Sequence, residues 1–277
     1  MTADPQQTPS GRAATAFAAL HHAEEPLLLP NAWDHASARA LAGQGFRAVG
    51  TTSLGVAAAA GLPDGAAATR EETLRLAVTL GAEPFLLSVD AEGGCSDDPD
   101  EVAEFARELY TAGAAGINLE DGLGPAARHA AKIAAVKRAA PGLFVNARTD
   151  THWLGDGDGT LARLDAYQQA GADGVFVPGL TDPRRIEALV RRLAVPLNVL
   201  YAPQGPSVAR LADAGVRRIS LGSLLYRRAL GAALEAAAGI RAGRPPTGTT
   251  PPYDEVAGLA APGRTPGSRT APQGVSS

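Results

Sequence analysis

Three polar clusters carry the chemical interest of this chain, because each directly follows an apolar run. They are Asp90-Ala91-Glu92 after FLLSV, Glu120-Asp121 after GINL, and Arg148-Thr149-Asp150 after LFVNA. Carboxylates that converge on one rim must be neutralised, and a hard divalent cation does this. Mg²⁺ takes one or two carboxylates directly, keeps several waters and accepts its remaining ligands from substrate oxygens. Asp90 is the first choice for direct ligation, with Glu92 and Glu120 acting directly or through water. Helix capping and rim ion pairing compete with this reading, and for Asp121 and Asp150 they weigh as heavily as ligation.

Arg148 adds a permanent cation whose forked donors suit a substrate carboxylate, or equally the neighbouring acids. Thr52, Ser53 and Leu54 lie in the turn GTTSLG, whose backbone N–H groups could hold an anionic oxygen or simply turn the chain. Trp33 either walls a pocket or staples the first loop, and Asn198 and Tyr201 add polar side chains near another strand end. His152, next to Trp153, reads as a packing or hydrogen-bonding residue. Cys95 has no adjacent base to lower its pKa and reads as structural.

These residues need a scaffold that brings distant segments to one rim. Short β-rich runs alternate eight times with longer Ala/Leu/Arg runs of helical period. The predicted strands cover 27–30, 47–51, 85–90, 116–120, 143–148, 174–178, 196–200 and 218–221. Most are unbroken apolar runs, as parallel strands covered on both faces require. Asp98-Pro99 and Asp182-Pro183 mark helix starts, while Gly113, Gly171 and Gly215 mark helix ends. Eight such units predict a (β/α)8 barrel, a single α/β domain whose functional residues follow the C-terminal ends of the strands. The expected organisation is a flexible N-terminus over 1–15, the barrel over 16–241 and a disordered Pro/Gly-rich tail over 242–277.

Composition removes several alternatives. A formal net charge of −4 over 277 residues gives no electrostatic footprint for nucleic acid. No apolar run approaches the ~20 residues of a membrane span, and no secretory signal is visible. The single cysteine, Cys95, forms no intrachain disulfide and fits a reducing cytoplasm.

The segments LPNAWDHASA, GTTSLGVAAAAGLPDG, SVDAEGGCSDDPDEV, AGINLEDG, VNARTD, GADGVFVPG and PLNVL with GVRRISLGS together resemble the isocitrate lyase and phosphoenolpyruvate mutase superfamily. The resemblance implies a (β/α)8 barrel, often with its last helix exchanged in a homo-oligomeric dimer of dimers. It also implies Mg²⁺ (Mn²⁺ as a substitute) and an enolate of a pyruvate-like acid. By motif Asp90 is similar to the principal metal carboxylate, Glu92 and Glu120 to its water-mediated partners, and Asp64 in LPDG to a supporting aspartate. Arg148 is similar to the substrate-binding arginine, and Ser53 with Leu54 to the backbone donors for substrate oxygens. One departure is clear: the lyases carry a catalytic-cysteine loop after the Glu-Asp strand, whereas this chain has GLGPAARHAAK. His129 and Lys132 in that segment read as surface or rim structure.

The leading expectation is therefore an Mg²⁺-dependent lyase that breaks a C–C bond in a small 2-oxo or 2-hydroxy acid. The alternatives are P–C bond chemistry of the mutase or phosphonopyruvate hydrolase type, and a non-catalytic barrel that binds a carboxylate metabolite.

Overall fold

A computed structural model describes residues 9–260. After helix α1 (Pro9–Leu20) come strands β1 (Leu27–Leu29) and β2 (Asn31–Ala32), then α2 (His35–Gly43), β3 (Ala48–Thr51), α3 (Ser53–Ala60) and α4 (Arg70–Leu80). The pattern continues through β4 (Leu86–Asp90), α5 (Pro99–Thr111), β5 (Ala114–Glu120), α6 (Ala126–Ala139), β6 (Phe144–Arg148) and α7 (Thr160–Gln169). It ends with β7 (Gly174–Val177), α8 (Pro183–Val190), β8 (Leu197–Leu200), α9 (Val208–Asp213), β9 (Arg218–Ser220), α10 (Leu224–Arg241) and α11 (Tyr253–Gly258).

All strand pairings are parallel, in the order β1-β9-β8-β7-β6-β5-β4-β3-β2. The barrel closes because β1 and β2 are two halves of one strand split at Pro30, which has no N–H to donate. Leu27–Leu29 pair with β9 on one side, and Asn31–Ala32 pair with β3 on the other. Each of the eight predicted strands is present. Asp98 and Asp182 accept hydrogen bonds from the backbone N–H groups of Asp100 and Arg184, so both Asp-Pro pairs cap helices as their sequence suggests.

Within the stretch 1–15 expected to be flexible, residues 9–15 are helical. α1 begins at Pro9, with Gly11, Ala14, Phe17 and Leu20 buried against the barrel floor. Phe17 meets Phe144 edge-on at 5.5 Å, and His21 stacks on Phe144 at 4.3 Å. A Cβ at position 116 would lie 2.7 Å from the Phe17 ring, so only glycine admits this plug. Within the expected tail α11 is helical, while 1–8 and 261–277 lie outside the described residues.

The barrel interior is more polar than its apolar strands suggest. Ser88, Asn118, Asn146, Asn198 and Arg218 are all buried, and Asn146 donates to Asn118 Oδ1 at 2.9 Å. Among the described residues no helix is long and apolar enough to cross a membrane.

Candidate active site

The C-terminal rim gathers the predicted acids, and alternation of side chains along each strand decides which way they face. Asp90 closes β4. Its Oδ2 accepts the Ser53 N–H at 3.2 Å, and its own N–H donates to Thr51 Oγ1 at 2.9 Å. The turn GTTSLG is in fact a helix start, with Thr52 the N-cap and Ser53 and Leu54 the first residues of α3. The N–H groups at such a terminus lack helical partners and favour negative charge, and here one of them already grips a carboxylate.

Glu92 is buried and left-handed, at φ 50°. The four non-glycine residues with positive φ among those described, Ala67, Glu92, Cys95 and Leu123, all lie in rim loops, where such conformations cluster beside functional sites. Glu92 Oε1 accepts the Thr69 hydroxyl at 2.5 Å, and Oε2 is buried without a partner. Burial raises its pKa, the Thr69 hydrogen bond opposes this, and Asp64 and Asp90 raise it further. Asp64, on the exposed loop after α3, is raised by lost hydration and by Asp90, against a hydrogen bond from Ser53 and the charge of Arg148.

Arg148 sits between two acids, with Nη1 2.7 Å from Glu120 Oε2 and Nε 2.7 Å from Asp150 Oδ1. Its guanidinium lies 5.8 Å from the centroid of the Phe176 ring. Burial lifts the Glu120 pKa to about 8; Arg148 opposes this, and Asp90, Asp150 and Glu92 reinforce it. Burial alone would lower the Arg148 pKa, but Glu120, Asp150 and Asp90 outweigh it and hold the guanidinium charged.

Asp121 faces away from the mouth. Its carboxylate accepts from Thr149 Oγ1 at 2.8 Å, Arg163 Nη1 at 2.9 Å, Tyr167 OH at 2.6 Å, Leu123 N–H at 3.0 Å and Asp150 N–H at 3.1 Å. Burial opposes ionisation, yet these donors hold its pKa below the ordinary aspartate value. Asp121 is a structural hub, and Asp150 is the buried support of Arg148.

Other expectations need correction. Asn198 lies inside the barrel rather than on the open rim, 1% exposed, in register with Phe176 and Arg218. Trp33 packs on Tyr226 of α10 at 5.4 Å and against Gly55, so it staples the first loop to two helices. His129 and Lys132 are buried rather than on the surface. Lys132 Nζ donates to the Gly93 carbonyl at 2.9 Å and so supports the loop that carries Glu92. Burial depresses the His129 pKa to about 4 and raises that of the Cys95 thiol to about 11, which disfavours the thiolate. Thr51, Thr69 and Lys132 were not singled out as supports of the acids, because a lone hydroxyl or amine far away in sequence gives no local signal.

No three metal-ligating side chains form a ready-made cluster among the described residues. Glu92 is held by Thr69 and Glu120 by Arg148, which leaves Asp90 as the principal acid for direct ligation. That donor set fits Mg²⁺, which needs only one or two carboxylates and water, better than a softer ion that requires several protein ligands. The unpartnered Glu92 Oε2 is a further acceptor for such a water.

Residues 17–241 match the family of phosphoenolpyruvate phosphomutase. An uncharacterized protein of Mycobacterium tuberculosis is 45% identical over 234 residues, covering 82% of this chain and 89% of its own. Oxaloacetate decarboxylase of Pseudomonas aeruginosa is 34% identical over 219 residues, covering 72% and 75%. A solved structure from Burkholderia cenocepacia, described as a lyase/mutase, superposes with a TM-score of 0.82 at 38% identity, covering 92% of this chain and 98% of its own.

Proposed function

The chain belongs to the phosphoenolpyruvate phosphomutase family, within the phosphoenolpyruvate mutase/isocitrate lyase superfamily, and from that premise we propose a divalent-metal-dependent lyase that breaks a C–C bond in a small 2-oxo or 2-hydroxy acid. The observation that carries this reading is the convergence of Asp90, the start of α3 and Arg148 on one rim. Mg²⁺, with Mn²⁺ as a substitute, supplies Lewis-acid stabilisation of negative charge on the 2-oxo oxygen when C3 loses its substituent. Asp90 would hold the cation, and Glu92 and Glu120 are the carboxylates near enough to assist it. The Leu54 N–H at the start of α3 orients the substrate carboxylate, joined by the Ser53 N–H once the cation draws Asp90 Oδ2 away from it, and Arg148 adds a fixed positive charge. Asp64, with its raised pKa, supports the metal site beside Ser53.

C–C cleavage is favoured over P–C chemistry by the connection between β5 and α6. It is only residues 121–125, too short to close over the mouth. A phosphoryl group moved within one substrate, as in a mutase, needs exclusion of water, and released CO2 or an aldehyde does not; a P–C hydrolase, which uses water, is disfavoured only by the likeness that follows. The likeness to an oxaloacetate decarboxylase supports the same choice. The protein is proposed to act in the cytoplasm as a homo-oligomer, with no nucleic-acid or membrane partner.

Calorimetric titration of oxalate, a mimic of the enolate, tests the site. Binding is expected only with Mg²⁺ and is expected to vanish in Asp90→Ala. Absence of binding by the wild-type protein in both conditions would refute the reading.

A further inference from the structure

Arg218 is the largest fully buried side chain among the described residues, at 0% exposure. It opens β9 and points into the barrel, where Nη2 donates to Ser88 Oγ at 3.2 Å and to Asn118 Oδ1 at 3.0 Å. Its Nε and Nη1 are buried without partners, as are both amide atoms of Asn198, its register neighbour on β8. Phe17 closes the space on the floor side, 5.8 Å from the guanidinium to the ring centroid. No carboxylate lies within ion-pairing distance of Arg218 among the described residues.

An unpaired guanidinium in a barrel core is unfavourable unless some other charge compensates it. The compensating charge is overhead. Ser88 and Asn118, which Arg218 holds, sit two residues before Asp90 and Glu120 on the same inward faces of β4 and β5. One pleat repeat, about 7 Å, separates each pair. Burial lowers the Arg218 pKa to about 9, and Asp90 opposes that shift, so the side chain carries its charge at neutral pH.

We propose that Arg218 is an electrostatic positioning residue, a buried cation beneath the acidic rim that couples metal and substrate binding. The inference rests on the metal site proposed above. Its positive field opposes Mg²⁺ on Asp90 while the substrate position is empty. Once a dianion such as oxalate is also present, the ligand pair is neutral and the opposition cancels. The cation therefore disfavours a metal-only site and favours the metal and the anion together.

The test is calorimetry of MgCl2 alone, and then of oxalate into Mg²⁺-loaded protein, for wild type, Arg218→Gln and Arg218→Lys. Arg218→Gln is expected to bind Mg²⁺ about tenfold more tightly and oxalate about tenfold more weakly, with the product of the two constants little changed. Arg218→Lys should resemble wild type. If Arg218→Gln does not fold, Arg218→Met, which buries no polar group at this position, takes its place. A merely structural arginine would weaken both affinities together or neither, and either result overturns the proposal. Wild-type protein that binds neither ligand refutes the metal site itself, whereas binding that is unchanged in the variants refutes only the role of Arg218.

Discussion

Replacing Asp121 with asparagine separates structural from catalytic acids at the rim. In the wild type Oδ1 accepts the Leu123 and Asp150 N–H groups, and Oδ2 accepts Thr149, Arg163 and Tyr167. Asparagine keeps one oxygen and turns an NH2 toward the other donors. With the NH2 on the backbone side, the Leu123 and Asp150 N–H groups lose their acceptor. With it on the other side, the Thr149 and Tyr167 hydroxyls can rotate and accept, and only Arg163 loses its charged partner. That second arrangement costs less, because Arg163 also donates to the Gly124 carbonyl at 2.8 Å. One charge-assisted bond plus the weakening of two others gives a loss of about 2–4 kcal/mol.

Equilibrium urea denaturation at pH 7 reads this difference directly. The folded-state pKa of Asp121 is depressed, so its contribution is fully present above the ordinary aspartate value and is lost as pH falls through the folded value. The gap between wild type and Asp121→Asn should therefore narrow in acid. Mg²⁺-dependent oxalate binding should survive in the variant. Stability within about 0.5 kcal/mol of wild type, together with lost metal binding, would show that Asp121 is a ligand and refute its assignment as a hub.

Other perturbations follow from the same geometry. Arg148→Lys replaces a fork that reaches Glu120 and Asp150 through two different nitrogens with a single ammonium, so oxalate affinity in the presence of Mg²⁺ should fall about tenfold by calorimetry while Mg²⁺ binding persists. His21 is held neutral by burial and by Arg218, with its pKa depressed to about 3, so its contribution is complete above the ordinary histidine value and is lost as pH falls toward the folded one. Between pH 7 and 5 that amounts to about 2 kcal/mol, and His21→Phe should lose correspondingly less than wild type in urea titrations at the two pH values. α10 buries none of its residues and leaves Leu230, Leu234 and Ile240 at least half exposed, so light scattering should find an oligomer that Leu234→Lys shifts to smaller species; a wild-type monomer would contradict this.

The eight strands were legible because parallel strands buried on both faces are continuous apolar runs, and proline and glycine mark the helix ends between them. α3 was not legible, because SLGVAAAA is apolar or small on every side and has no polar face to reveal a helical period. α1 was hidden for a related reason. PSGRAATAFAAL contains only two large apolar residues, Phe17 and Leu20, and what fixes it is the hole at Gly116 on a strand a hundred residues away. Arg218 reads in VRRIS as an ordinary charge at a strand edge, since arginine is almost never fully buried without a partner.

At the rim the same distinction separates roles that the clusters alone left open. Glu120 and Asp121 are adjacent, as are Arg148, Thr149 and Asp150, and in the sequence each set reads as a cluster. The pleat divides them. Arg148 pairs with both Glu120 and Asp150, while Asp121 and Thr149 turn outward and bond to each other, and Asp121 also accepts from Arg163 and Tyr167 of α7. The period-two rule that predicts the strands therefore continues past their ends, and applied one residue further it sorts candidate ligand from hub. It fails at Glu92, where a left-handed backbone breaks the alternation and a hydroxyl from Thr69 decides where the carboxylate goes. A carboxylate that the strand period does not place needs a tertiary partner to hold it, and that partner, distant in sequence, is the part of this site that local pattern does not carry.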